Sequence, residues 1–237
     1  MQQDVPYLPE VGGEPMLAGF SEGPTFEAFL DQLRERAPKY AKVQLAGPAT
    51  LATQGPGRIL AQLPETVRAL TQRVAQTGVT PLVFLDEPML HESAAPVMAL
   101  EFVRRAARDA GAIVGLHCCG QAQWGELLGL GFDLVSLDAR LSLDALLEDR
   151  RAWLRFLERG GRLCLGIIPT NPGARYDVNE LCDSVEASLR ATTPHFERVL
   201  SRMLLSPACG LALHSPEHAR RITAELKQAQ ARLRSLL

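Results

Sequence analysis

Aromatic residues make up only 5% of the chain, and no apolar run approaches the length of a membrane span. Charge of one sign is missing too. Lys and Arg number 25 against 27 Asp and Glu, a formal net charge of −2, and the basic residues are scattered rather than blocked. Nothing there neutralises a phosphate backbone or an anionic lipid surface, which excludes nucleic acid and membranes as expected partners. The opening "MQQDVPYLPEVGGEP" has neither a basic n-region nor an apolar h-region, so a cytoplasmic protein is expected. Cysteine is scarce and odd in number, five in 237 residues, which favours reduced thiols over a disulfide framework. A Gly-x-Gly-x-x-Gly turn and a Walker lysine loop are both absent, and with them the usual dinucleotide and P-loop readings. The remaining composition, 46% hydrophobic and 22% charged, is that of one well-cored domain spanning 1–237.

Two patterns alternate along the chain. Short apolar runs bounded by Gly, Pro or polar residues read as strands: "KVQLAG" (42–47), "PLVFLDEP" (81–88), "AIVGLHCC" (112–119), "DLVSLDA" (133–139), "RLCLGIIPT" (162–170) and "RMLLSPACG" (202–210). A weaker one, "VPYL" (5–8), precedes them. Between them lie amphipathic stretches with apolar positions three and four apart, several stopping at a glycine such as Gly78 or Gly111. Such alternation implies parallel strands joined by crossover helices, and without a nucleotide-binding turn a TIM-type (β/α)8 barrel is the expected α/β fold. In that fold reactive residues gather at the C-terminal ends of the strands. Gln44, Asp86, Glu87, His117, Cys119, Asp138, Thr170 and Cys209 all stand at or just after such ends.

The stretch "GLHCCG" (115–120) places one of five histidines beside two of five cysteines. Along a strand, residues i and i+2 share a face, so His117 and Cys119 project together and Cys118 projects oppositely, as a small hydrophobe against the helices. A redox role for the vicinal pair would need strained geometry, and no Cys-x-x-Cys is present. His117 and Cys119 are two ligands of a possible zinc site, which Cys209 and Asp138 at other strand ends would complete. A buried histidine beside a packed thiol is the competing reading of the same residues.

"KVQLAGPATL", "FLDEPML", "LHCCG", "LVSLDA" and "SPACGL" follow the order of motifs in the catalytic barrel of cobalamin-independent methionine synthase. The chain most resembles the short bacterial forms within the methionine synthase and uroporphyrinogen decarboxylase superfamily, over residues 18–215. That resemblance implies a zinc ion (Zn2+) held by His117, Cys119, Asp138 and Cys209, although the full-length synthases use glutamate where this chain has Asp138. It also implies that Asp86 grips the amino group of an aminothiol such as homocysteine, while Glu87 reads as a carboxylate capping a helix or pairing with an arginine. Gln44 and Thr170 either line the pocket or satisfy loop backbone.

The function implied is zinc-dependent methyl transfer to a thiol acceptor, since only a thiolate attacks a methyl group and metal coordination removes the thiol proton. The donor would be methyltetrahydrofolate or a corrinoid protein. One alternative is a non-catalytic metal-binding barrel or accessory subunit. A porphyrinogen-type decarboxylase is less favoured, because its polycarboxylate substrate needs an arginine cluster and only Arg140 closely follows a strand. The relatives begin with a strand that ends in a "Gly-Ser-Phe-Pro"-like turn and then a helix, and the resemblance implies that this chain starts after that unit. A barrel lacking its usual first βα unit is therefore expected, either closed as a seven-stranded variant or with its exposed edge covered by a partner chain, and a homodimer with its interface near the N-terminal edge is the expected assembly.

Overall fold

In a computed structural model the described residues are 24–54, 58–88, 90, 97–211 and 214–237. They fall into two compact units, 1–117 and 118–237. The first contains α1 (Pro24–Arg36), β1 (Tyr40–Ala46), α2 (Pro48–Gln54), α3 (Arg58–Ala75), β2 (Thr80–Asp86), α4 (Val97–Asp109) and β3 (Ile113–Cys118), whose last residue opens the second unit. The second continues with α5 (Trp124–Gly129), β4 (Leu134–Asp138), α6 (Ala139–Glu148), α7 (Arg150–Glu158), β5 (Arg162–Ile168), α8 (Val178–Thr192), α9 (Phe196–Arg202), β6 (Leu204–Pro207) and α10 (Pro216–Arg234).

All six strands expected from the main apolar runs form, and each pairs in parallel with its sequence neighbour within its unit. Within each unit strand order follows chain order. This is the α/β architecture that alternating strands and helices require. Six strands stand among the described residues where a closed (β/α)8 barrel has eight, so the closed barrel is not observed. The weak candidate "VPYL" lies outside the described residues. Gly78 and Gly111 have φ of 82° and 95°, the left-handed conformation expected where a helix stops.

Within each unit, strand alternation gives the strands two unlike faces. In the first unit Ala41, Val43, Leu45, Val83, Leu85, Val114 and Leu116 are almost fully buried on one face. The opposite face carries Lys42, Gln44, Phe84, Asp86, Gly115 and His117, which share it by register. In the second unit Val135, Leu137, Leu163, Leu165 and Ile167 are buried in the same way. Ser136, Asp138, Cys164, Gly166 and Ser206 lie on the other face, where the Cys164 thiol sits 3.8 Å from the Ser206 hydroxyl. The apolar faces of β4 and β5 meet α6, α8 and α9, and α7 adds a stacked Trp153–Phe156 pair whose indole N–H donates to Thr193 Oγ1 at 3.0 Å.

Gly166 is the tightest point among the strands of the second unit. A Cβ there would lie 2.6 Å from Ala208 Cα and 2.9 Å from Leu137 O, both backbone atoms that no rotamer change can move. Gly166→Ala is expected to destabilise the protein by about 1–3 kcal/mol through overpacking, read as a lowered urea midpoint; an unchanged midpoint would show that β6 is not held this closely.

Candidate functional site

The end of β2 carries two adjacent carboxylates with opposite fates. Glu87 is fully buried, and its carboxylate accepts from Ala49 N at 2.8 Å, Thr50 N at 2.7 Å and Thr50 Oγ1 at 2.8 Å. These are the unsatisfied N–H groups in the first turn of α2, so Glu87 caps that helix from the neighbouring strand. Of the two roles expected from the sequence, capping a helix or pairing with an arginine, it takes the first. Gly47 makes it possible, because a Cβ at that position would stand 2.3 Å from the Glu87 carboxylate. Burial pushes the Glu87 carboxyl above its usual range, against the lowering effect of its hydrogen bonds.

Asp86 closes β2 on the polar face, half-buried, with its Oδ1 sealed from solvent, and pairs in register with His117 of β3. Burial holds the His117 imidazole far below its usual range, at about 4, and the positive charge of Lys42 adds to the effect. The ring is therefore neutral at physiological pH, the form in which imidazole binds a metal. Lys42 was not among the sequence candidates. Its parity with Gln44, two residues along β1, is the signal that puts it on the same face.

In the second unit, Cys118 is fully buried, as alternation requires, and its thiol approaches Gly120 O at 3.6 Å. Ser142 of α6 donates to the same carbonyl at 2.9 Å, fixing the turn that carries Cys119. Cys119 is half-buried and shares a hydrogen bond with Cys209. That contact, then burial, then the mutual repulsion of the two thiolates, pushes the Cys119 thiol upward. Cys209 is exposed in the "SPACG" turn, which Ala208 N anchors by donating to Ile168 O at 2.9 Å. Two thiols from strand ends far apart in sequence are thus brought together.

Asp138 has a use that sequence reasoning did not assign. Its Oδ1 caps α6, accepting from Arg140 N at 2.8 Å and Leu141 N at 3.3 Å, and burial nonetheless raises its pKa. Thr170 is buried and its carbonyl lies 3.2 Å from His218 Nε2, while Arg221 reaches the other ring nitrogen at 3.3 Å. Here the His218 ring satisfies the loop backbone at Thr170. Of the four expected ligands, His117 ends the first unit and Cys119, Asp138 and Cys209 belong to the second. Among the described residues no group of three His, Cys, Asp or Glu side chains is gathered as a metal cluster.

No model of a known protein family matches the chain, and no curated protein matches it. Among solved structures, it is similar to a 3-keto-D-glucoside 4-epimerase from E. coli in its apo form. The identity is 10%, with 92% of this chain and 86% of that one covered at a TM-score of 0.50. A probable 2-pyrone-4,6-dicarboxylic acid hydrolase from Acinetobacter baumannii with citric acid bound is 14% identical over 97% of this chain and 93% of that one, with a TM-score of 0.46. The likeness to the epimerase establishes a TIM-barrel-like α/β fold.

Two outcomes follow from the perturbed groups. Because the folded protein holds the Glu87 proton more tightly than the unfolded chain, the contribution of Glu87 to stability is full below the ordinary carboxylate pKa. It is lost as pH rises through the elevated one. The difference in unfolding free energy between wild type and Glu87→Gln should therefore change with pH across that window; a pH-independent difference would show that Glu87 does not titrate. In metal-free protein at pH 8, Cys119 should be alkylated by iodoacetamide more slowly than a free thiol of pKa about 8.5, and Cys209→Ala should accelerate it. Mass spectrometry of the alkylated peptide reads both rates, and equal rates in the two proteins would remove the thiol contact.

Proposed function

We propose that the chain is a zinc-dependent thiol S-methyltransferase of the cobalamin-independent methionine synthase type, built on a (β/α)8-type barrel. The observation that carries this reading is the meeting of the Cys119 and Cys209 thiols, which the motif resemblance names as two ligands of one metal. Neutral His117, separated from Cys119 by one residue, supports it as a third. Asp138 is the fourth candidate, and its cap on α6 engages Oδ1. The donor set of two thiols, an imidazole and a carboxylate suits zinc.

Zinc held by these residues would supply a Lewis acid that lowers the pKa of an acceptor thiol. The rest of the task falls to the chain. Asp86, projecting from the end of β2 on the polar face, would bind the ammonium group of a homocysteine-like acceptor and orient its sulfur. Glu87 fixes α2 and so holds the β1 end of the rim in place. The methyl donor, methyltetrahydrofolate or a corrinoid protein, would approach from the strand-end side.

Metal analysis after zinc loading should find one tightly bound zinc per chain. Cys119→Ser and Cys209→Ser should lose it, and Cys118→Ser, whose thiol is buried on the helix side, should keep it. Thiol methylation with a donor panel then tests the activity, and Asp86→Asn should weaken acceptor binding without releasing zinc. Zinc retention in the Cys119 and Cys209 variants would overturn the ligand assignment.

A further inference from the structure

The polar face of the first unit carries a cation that the proposed function does not use. Lys42 lies half-buried on β1, and no carboxylate comes within ion-pair distance of it among the described residues. Its side chain is held in place. The ammonium stands 4.8 Å from the centroid of the Phe84 ring, a cation–π contact. Phe84 in turn lies over Gly115, where a Cβ would come within 2.4 Å of the ring. Gly115, Phe84 and Lys42 therefore form one stack across the three strands, and the glycine is what lets the ring lie flat enough to carry the ammonium.

Register fixes where that charge sits. Lys42 pairs with Leu82, Phe84 with Gly115, and Asp86 with His117, so the same face rises in three rungs toward the strand ends. Successive rungs are about 6.6 Å apart, two residues of strand rise. By lying over Phe84, the Lys42 ammonium is lifted from its own rung to the one below Asp86. A positive and a negative group thus face the same space about one rung apart. The ammonium and carboxylate of an α-amino acid are about 3 Å apart. With a charge-assisted hydrogen bond of about 2.8 Å at each end, such a zwitterion spans that interval.

We propose that Lys42 binds the carboxylate of the acceptor, so that Lys42 and Asp86 together select a zwitterionic amino-acid thiol over a simple alkyl thiol. This rests on the acceptor-binding role given to Asp86 above. It supplies, from β1, the carboxylate grip that complements the ammonium grip from β2. A half-buried ammonium with no carboxylate beside it among the described residues is costly to desolvate, and an incoming carboxylate relieves that cost, which makes the contact selective for anionic ligands. The aliphatic stem of Lys42 gives the ligand's methylene groups an apolar floor.

Calorimetric titration of zinc-loaded protein with four probes tests this: homocysteine, 3-aminopropane-1-thiol, 4-mercaptobutyrate and 2-aminobutyrate. The first has all three groups, and each of the others lacks the carboxylate, the amine or the thiol. Wild type should bind homocysteine about 10- to 100-fold more tightly than 3-aminopropane-1-thiol, the range expected of a hydrogen bond between charged groups. Lys42→Met should abolish that preference, Lys42→Arg should restore part of it, and Asp86→Asn should instead erase the preference for homocysteine over 4-mercaptobutyrate. Circular dichroism of each variant confirms that the fold is retained. A carboxylate preference undiminished in Lys42→Met overturns the proposal. If the thiol proves irrelevant, 2-aminobutyrate binding as tightly as homocysteine, the methyl-transfer reading fails. The Lys42 assignment is then supported by loss of 2-aminobutyrate binding in Lys42→Met and overturned by its retention.

Discussion

Period-two alternation along parallel strands is the constraint from which the rest of this molecule follows. Each strand must turn one side to the helices, and those sides are filled by Val43, Leu45, Val83, Leu85, Val114 and Leu116 in the first unit. Leu137, Leu163, Leu165 and Ile167 fill them in the second. Burial of each such side chain contributes roughly 1.5–3 kcal/mol, and together they outweigh any single polar contact on the opposite face. The apolar side therefore fixes the register, and the polar side inherits its geometry. Lys42, Gln44, Asp86 and His117 share a face because their neighbours had to be buried, and a slip of one residue would send all of them into the helix layer.

The "DEP" motif shows the same division on the scale of two residues. Asp86 ends the strand on the polar face, while Glu87 turns away into the protein and takes over the first turn of α2. A carboxylate so fully enclosed survives because three donors meet it, and the cost of its burial appears as a raised pKa instead of an unsatisfied charge. Asp138 caps the helix that directly follows its own strand, whereas Glu87 at the end of β2 caps α2, the helix that follows the neighbouring β1, although a ligand role was expected of Asp138. Strand-end acids in this architecture lie next to helix N-termini, so a carboxylate at such a position is drawn into capping whatever else it does.

Much of this was legible in the sequence, for a physical reason. The six main strands announce themselves as apolar runs bounded by breakers, and the outward turn of Cys118 follows from counting by two. The helix stops at Gly78 and Gly111 were legible because only glycine takes positive φ without strain. What stayed hidden depends on contacts between distant segments. The capping by Asp138 needs the exact start of α6, and the Cys119–Cys209 contact needs two turns to approach across some ninety residues of chain. Lys42 escaped notice because a lysine within a strand usually faces solvent. Its parity with Gln44 was visible, but the Phe84–Gly115 arrangement beneath it was not.

The fit between Gly47 and Glu87 bears on how such a chain can drift over evolutionary time. The carboxylate occupies the space a side chain at 47 would need, and it satisfies amide groups that have lost the capping residue a helix usually carries at its own start. Neither position can change first without penalty. A larger residue at 47 meets the acid, and a shorter or apolar residue at 87 leaves the amides bare. Two sites forty residues apart are thereby bound into one heritable unit, able to move only through paired change.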